Sequence, residues 1–148
     1  MLFNLLAPLG NEILVFNLFR YLTFRSGGAV ITALVISFVL GPFIISWLKS
    51  RQRQGQPIRR DGPEQHLLTK QGTPTMGGVL ILLALTISTL LWADLTNKFV
   101  WAILGITIGF GVIGFVDDYL KLTRRSAQGL RSRVKLLAQV IIAITAAI

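Results

Sequence analysis

The chain contains no cysteine. Disulfides, a zinc–thiolate centre and a cysteine nucleophile are thereby excluded, while the redox compartment stays unspecified. Charge is also scarce. Asp, Glu, Lys and Arg make up 14% of the 148 residues, against about 25% in an ordinary soluble domain. Acids are the scarcer sign, six against fifteen Lys+Arg, and His66 is the one histidine. The sequence is rich instead in apolar residues, at 53% hydrophobic with a mean hydropathy of +0.66. A solvated, disordered polymer does not carry that much apolar material. A soluble globule of this length encloses too little interior to hide it. A membrane protein is the class that remains. The net charge of +9 would point to nucleic acid in a soluble chain. In a lipid-embedded chain it points to basic cytoplasmic loops and an anionic substrate, with no nucleic-acid partner.

Charge-free stretches run over 26–48, 71–93, 99–116 and 136–148. A spanning helix needs about 20 residues, so the fold class is all-α, a polytopic transmembrane helix bundle. Spans are expected at 26–48, 74–93, 99–118 and 135–148, joined by loops 49–73 and 119–134 and by a tight hairpin at 94–98. The second helix should open near Pro74, because proline is tolerated in a first turn. The last stretch reaches only about 20 Å, short of a hydrocarbon core of about 30 Å. It therefore reads as a truncated span of a partial sequence, the alternative being a short buried or re-entrant segment.

Lys49, Arg51, Arg53, Arg59, Arg60 and Lys70 precede the second span, and Lys121, Arg124, Arg125, Arg131, Arg133 and Lys135 precede the fourth. These are twelve of the fifteen cations. The positive-inside rule places both loops in the cytoplasm and the N-terminus outside. Residues 1–25 are broken by Pro8 and Gly10 and lack the flanks of a signal peptide. They read as an outer-face interfacial helix leading into the first span. The sequence shows no internal repeat and no low-complexity tract.

Three groups of residues could carry chemistry. Asp117 and Asp118 close the third span, where ionisable groups are functional candidates by default. On a helix, Lys121 lies four and three residues beyond them and can approach both. Such a set suits a divalent cation bridging to phosphate, or a carboxylate base beside a cationic phosphate clamp. The bland alternative is a helix end that meets water. The second group is the run Arg59 to Gly78, with the turn Asp61-Gly62-Pro63 and small residues Gly72, Thr73, Thr75, Gly77 and Gly78 at a helix start beside Lys70. Free N–H groups there could hold a phosphate; alternatively, the run is a re-entry turn with glycines for close helix packing. The third is the basic loop before the fourth span, which topology and anionic headgroups largely account for. All three face one side of the membrane.

The strings Arg59–Gly78 and Gly111–Lys121, with Tyr21–Arg25, Gly129-Leu130, Arg133 and Lys135, resemble the bacterial phospho-N-acetylmuramoyl-pentapeptide-transferases from about residue 14 to the end. That resemblance implies transfer of phospho-N-acetylmuramoyl-pentapeptide from its UDP carrier to undecaprenyl phosphate, with Mg²⁺ as cofactor, in the bacterial inner membrane. It implies ten spans, of which these are the first four. Asp117 and Asp118 match the family's first acidic pair and are the implied catalytic residues. Lys70, Thr75, Lys121 and Lys135 match polar positions of the substrate cleft. Partners implied are the two substrates and membrane lipids; a homodimer is left open, because the oligomeric state is not readable from the sequence. The family's later Asn/Asp-rich loop, its Mg²⁺-holding acid and its histidine-rich loop have no counterpart within 148 residues. The metal ligands stay unassigned, and the chain alone is not expected to catalyse. A sibling transferase of GlcNAc-1-phosphate and a non-enzymatic membrane subunit are the rival readings.

Overall fold

A computed structural model describes residues 1–6, 8, 14–52, 76–124 and 129–147. The described residues form helix α1 (Leu2–Leu6), a 3₁₀ segment (Leu14–Arg20), and helices α2 (Leu22–Arg51), α3 (Gly78–Trp92), α4 (Lys98–Thr123) and α5 (Ser132–Ala147). No strand occurs among them. In lipid this is the expected outcome, since a helix satisfies every backbone group within its own segment.

The helices do not coincide with the charge-free stretches, because a helix need not end where charge begins. At 30 residues, α2 is about 45 Å long, and it carries Lys49 and Arg51 in its last turn. There the cations meet the negative end of the helix dipole. Pro42 lies inside α2, a position tolerated in spanning helices when neighbouring groups take up the freed carbonyl. Helix α3 begins at Gly78 rather than near Pro74. The reason is Met76, whose φ of 74° is left-handed and incompatible with a helix there. Pro74 itself lies outside the described residues.

The hairpin between α3 and α4 is held by short polar contacts. Asp94 Oδ1 accepts the Thr96 hydroxyl at 2.7 Å and its backbone N–H at 3.0 Å. These bonds, the hydroxyl's first, hold the Asp94 carboxyl below the usual carboxylate range. Asn97 then caps α4, its side chain accepting the Phe99 N–H at 2.9 Å. The first 25 residues do not form one interfacial helix. Those of them that are described are divided between α1, the 3₁₀ segment and the start of α2. This segment packs at the hairpin end: Arg25 lies 4.2 Å over the Phe3 ring, and Phe19 stacks on Trp92 at 5.8 Å.

Helices α2 to α5 run up and down, each against the next. Small residues set the approach. Trp92 donates to Thr32 Oγ1 at 2.9 Å because Gly28 leaves room for the indole, which a Cβ there would meet at 2.5 Å. A Cβ on Gly111 would overlap the Leu82 side chain. Without a hydrophobic drive between helices in lipid, such close contact supplies much of the association. Gly111→Ala should therefore loosen the α3–α4 pair, destabilising by about 1–3 kcal/mol. A thermal-unfolding scan in detergent reads this as a lower midpoint, and an unchanged midpoint would contradict the close approach.

The apolar surface points outward. Phe38 is 77% exposed, Phe99 75% and Phe43 69%. In α2 and α4, both long and apolar enough to cross a membrane, only 6% and 11% of the most apolar window is buried. A soluble protein's core helix would be mostly enclosed. These helices have the length and outward apolar surface of membrane-spanning segments.

Candidate functional site

From Lys98 to Asp117, α4 rises about 28 Å, close to the roughly 30 Å of a hydrocarbon core. Asp117 therefore sits at the level where the span ends, one face of the helix turned to α5. It is 8% exposed. A carboxylate so placed needs partners, and among the described residues it has three. Lys121 Nζ lies 2.6 Å from Oδ2, and Lys135 Nζ approaches the same oxygen from α5 at 3.8 Å. The backbone N–H of Leu130 donates to Oδ1 at 2.8 Å. Asp118, one residue on and turned about 100° around the helix, is more exposed, and its Oδ1 lies 3.2 Å from the same Lys121 Nζ. Lys121 thus bridges two adjacent acids and relieves their repulsion.

These groups open onto a cleft of about 350 Å³ between the end of α4 and the start of α5, lined by Asp117, Lys121, Gly129, Leu130, Lys135 and Gln139 among others. Two lysines and one buried carboxylate facing a cavity can hold phosphoryl oxygens and orient or deprotonate an acidic oxygen beside them.

The structure brings Asp117, Asp118, Lys121 and Lys135 together. Lys70 and Thr75 lie outside the described residues, as do His66 and the rest of 53–75. Among the described residues, nothing lies within 4 Å of a Cβ built on Gly77 or Gly78 at the start of α3. Sequence reasoning gave no separate weight to the Leu130 amide, Gly129 or Gln139. Gly129-Leu130 was visible as a dipeptide, but only the fold turns it onto Asp117. Gln139 lies seven residues beyond Ser132, two turns along the face of α5 that also lines the cleft.

The described residues include no group of three His, Cys, Asp or Glu able to hold a metal ion. The pair Asp117 and Asp118 fits Mg²⁺ only in the way that ion is often bound, by one or two carboxylates with substrate phosphates and water completing the shell.

Fold and site together define a polytopic helical membrane protein with an acid–lysine cluster at one membrane face. Comparison with known proteins makes this specific. Residues 70–82 match the phospho-N-acetylmuramoyl-pentapeptide-transferase signature 1. The phospho-N-acetylmuramoyl-pentapeptide-transferase of Granulibacter bethesdensis is 64% identical over 148 residues, covering 100% of this chain and 41% of that protein. The enzyme of the same name from Maricaulis maris is 53% identical over 148 residues, covering 100% and 40%. That from Pelobacter propionicus is 56% identical over 143 residues, covering 97% and 39%. By sequence the chain is similar throughout to the phospho-N-acetylmuramoyl-pentapeptide-transferases, and it spans about 40% of the length of the curated relatives it matches.

Proposed function

We propose that the protein to which this chain belongs transfers phospho-N-acetylmuramoyl-pentapeptide from UDP to undecaprenyl phosphate, forming lipid I and UMP in the bacterial inner membrane. An oxygen of the lipid phosphate attacks the sugar-linked phosphorus of the UDP carrier. The bond from that phosphorus to the bridging oxygen breaks, and UMP leaves. The single observation that carries the reading is the cluster Asp117–Lys121–Lys135 at one membrane face, in a chain similar throughout to enzymes of that name. In this role Lys121 and Lys135 take phosphate oxygens as point charges. Asp117 orients or deprotonates the lipid phosphate. Lys70 and Thr75, both within the matched family signature, contact the nucleotide or its phosphates. Mg²⁺ is the proposed cofactor, neutralising diphosphate charge, with Asp117 and Asp118 as its candidate ligands in this chain. The cytoplasm is the proposed side of the cluster, supported by the twelve cations in the two long loops.

A radiolabel assay of the full-length protein with each UDP-sugar and undecaprenyl phosphate tests this. UDP-MurNAc-pentapeptide should yield labelled lipid and UDP-GlcNAc should not. Acceptance of UDP-GlcNAc alone would move the protein to the sibling activity, and no transfer from either would favour a non-enzymatic subunit.

A further inference from the structure

Gly129 stands where the chain returns from α4 to α5. Its backbone lies outside the left-handed region, so conformational freedom is not what the glycine provides. Space is. A Cβ built on Gly129 would overlap Asp117 Oδ1, lie 2.8 Å from Asp117 Cγ and lie 2.9 Å from Lys121 Cε. No other described glycine is pressed against an ionised group in this way. The other close approaches meet Trp92, Leu82, Leu80 or Ile142. The next residue, Leu130, donates its N–H to the very oxygen that the Cβ would strike, at 2.8 Å. The opposite oxygen of Asp117 is held by Lys121 at 2.6 Å, so the carboxylate has little freedom to yield without changing its direction.

We propose that Gly129 is a positioning residue for the transferase reaction: lacking a side chain, it lets the Leu130 amide reach Asp117 and sets where that carboxylate points into the cleft. This rests on the transferase reading of the same site. A side chain at 129 turns the carboxylate or lifts the amide off it, and leaves the helix packing elsewhere intact. A displacement on the order of 1 Å in a reacting group can cost about 100-fold in rate.

The experiment uses full-length enzyme and UDP-MurNAc-pentapeptide, at an enzyme concentration high enough to read slow variants. Gly129→Ala should lower kcat by about 10- to 100-fold, while KM for the UDP substrate stays within about threefold. Its thermal midpoint should fall by no more than that of Gly111→Ala, since a comparable overlap must be relieved at each position, and kcat is therefore compared per folded molecule. Gly111→Ala serves as the contrast, with a lowered midpoint and unchanged kcat per folded molecule. In an Asp117→Asn background, Gly129→Ala should cause no further loss, because residues that act through one another are not additive. An additive loss would show that Gly129 acts elsewhere and overturn the proposal, as would wild-type kcat in Gly129→Ala. Should Gly129→Ala fail to fold, replacing the Leu130 amide by an ester removes the donated N–H and leaves position 129 unaltered. Reduced kcat in the ester variant supports the proposal and an unchanged kcat overturns it. A wild-type protein that makes no lipid product counts against the transferase reading itself, a result distinct from any of these.

Discussion

On the proposed transferase reading, Asp117→Asn should reduce the rate of the full-length protein by about 10²–10⁴-fold, the range associated with losing a positioned acid–base group. The fold should survive the change. Asn keeps the volume of Asp, and its carbonyl oxygen can still accept the Leu130 N–H that now donates at 2.8 Å. Lys121 keeps Asp118 as a partner at 3.2 Å. Initial rates of UMP release, measured beside a thermal-unfolding midpoint, separate the two effects. A rate within threefold of wild type would remove Asp117 from the chemistry and leave the cluster as a structural ion pair.

Lys121→Met should have the larger effect on stability. Methionine preserves the unbranched stem but removes the charge that lies between the two acids. Asp117 would then retain the Leu130 amide and a more distant Lys135 at 3.8 Å. Breaking one side of a buried ion pair typically destabilises by about 3–5 kcal/mol. Here Lys121 is 21% exposed at its side chain, so water screens part of the loss and about 1–3 kcal/mol is expected. On the same transferase reading the rate should fall as well, with KM for the UDP substrate rising, because the proposed phosphate contact would go with the charge. Chemical unfolding in detergent and steady-state kinetics read the two losses independently. Full stability together with full activity would contradict the bridging role that the geometry assigns to Lys121.

Some of the site was legible before any coordinates. Asp117, Asp118 and Lys121 share one helix, and helical spacing alone brings a residue four and three positions later back beside the pair. The observed distances of 2.6 and 3.2 Å are what that periodicity permits. Lys135 is different. Its proximity to Asp117 depends on how α5 packs against α4, a matter of helix contacts and not of spacing along one helix. The Leu130 amide is less legible still, since every residue but proline carries one. Its direction is decided only once the chain has turned. The helix ends also resisted reading: the left-handed Met76 moves the start of α3 past the expected Pro74, and methionine carries no sequence signal for that conformation.

Hydropathy and the distribution of cations by themselves determined that this is a helical membrane protein, how many apolar stretches it offers, and on which side the basic loops are expected. Those properties are sums over residues, and lipid solvation acts on each residue nearly independently of its distant neighbours. The tertiary structure alone decided that one acid of the adjacent pair is buried and triply held while the other stays more exposed. That asymmetry arises because only one side of α4 is covered by α5. A buried charge must find its partners on whichever surface closes over it.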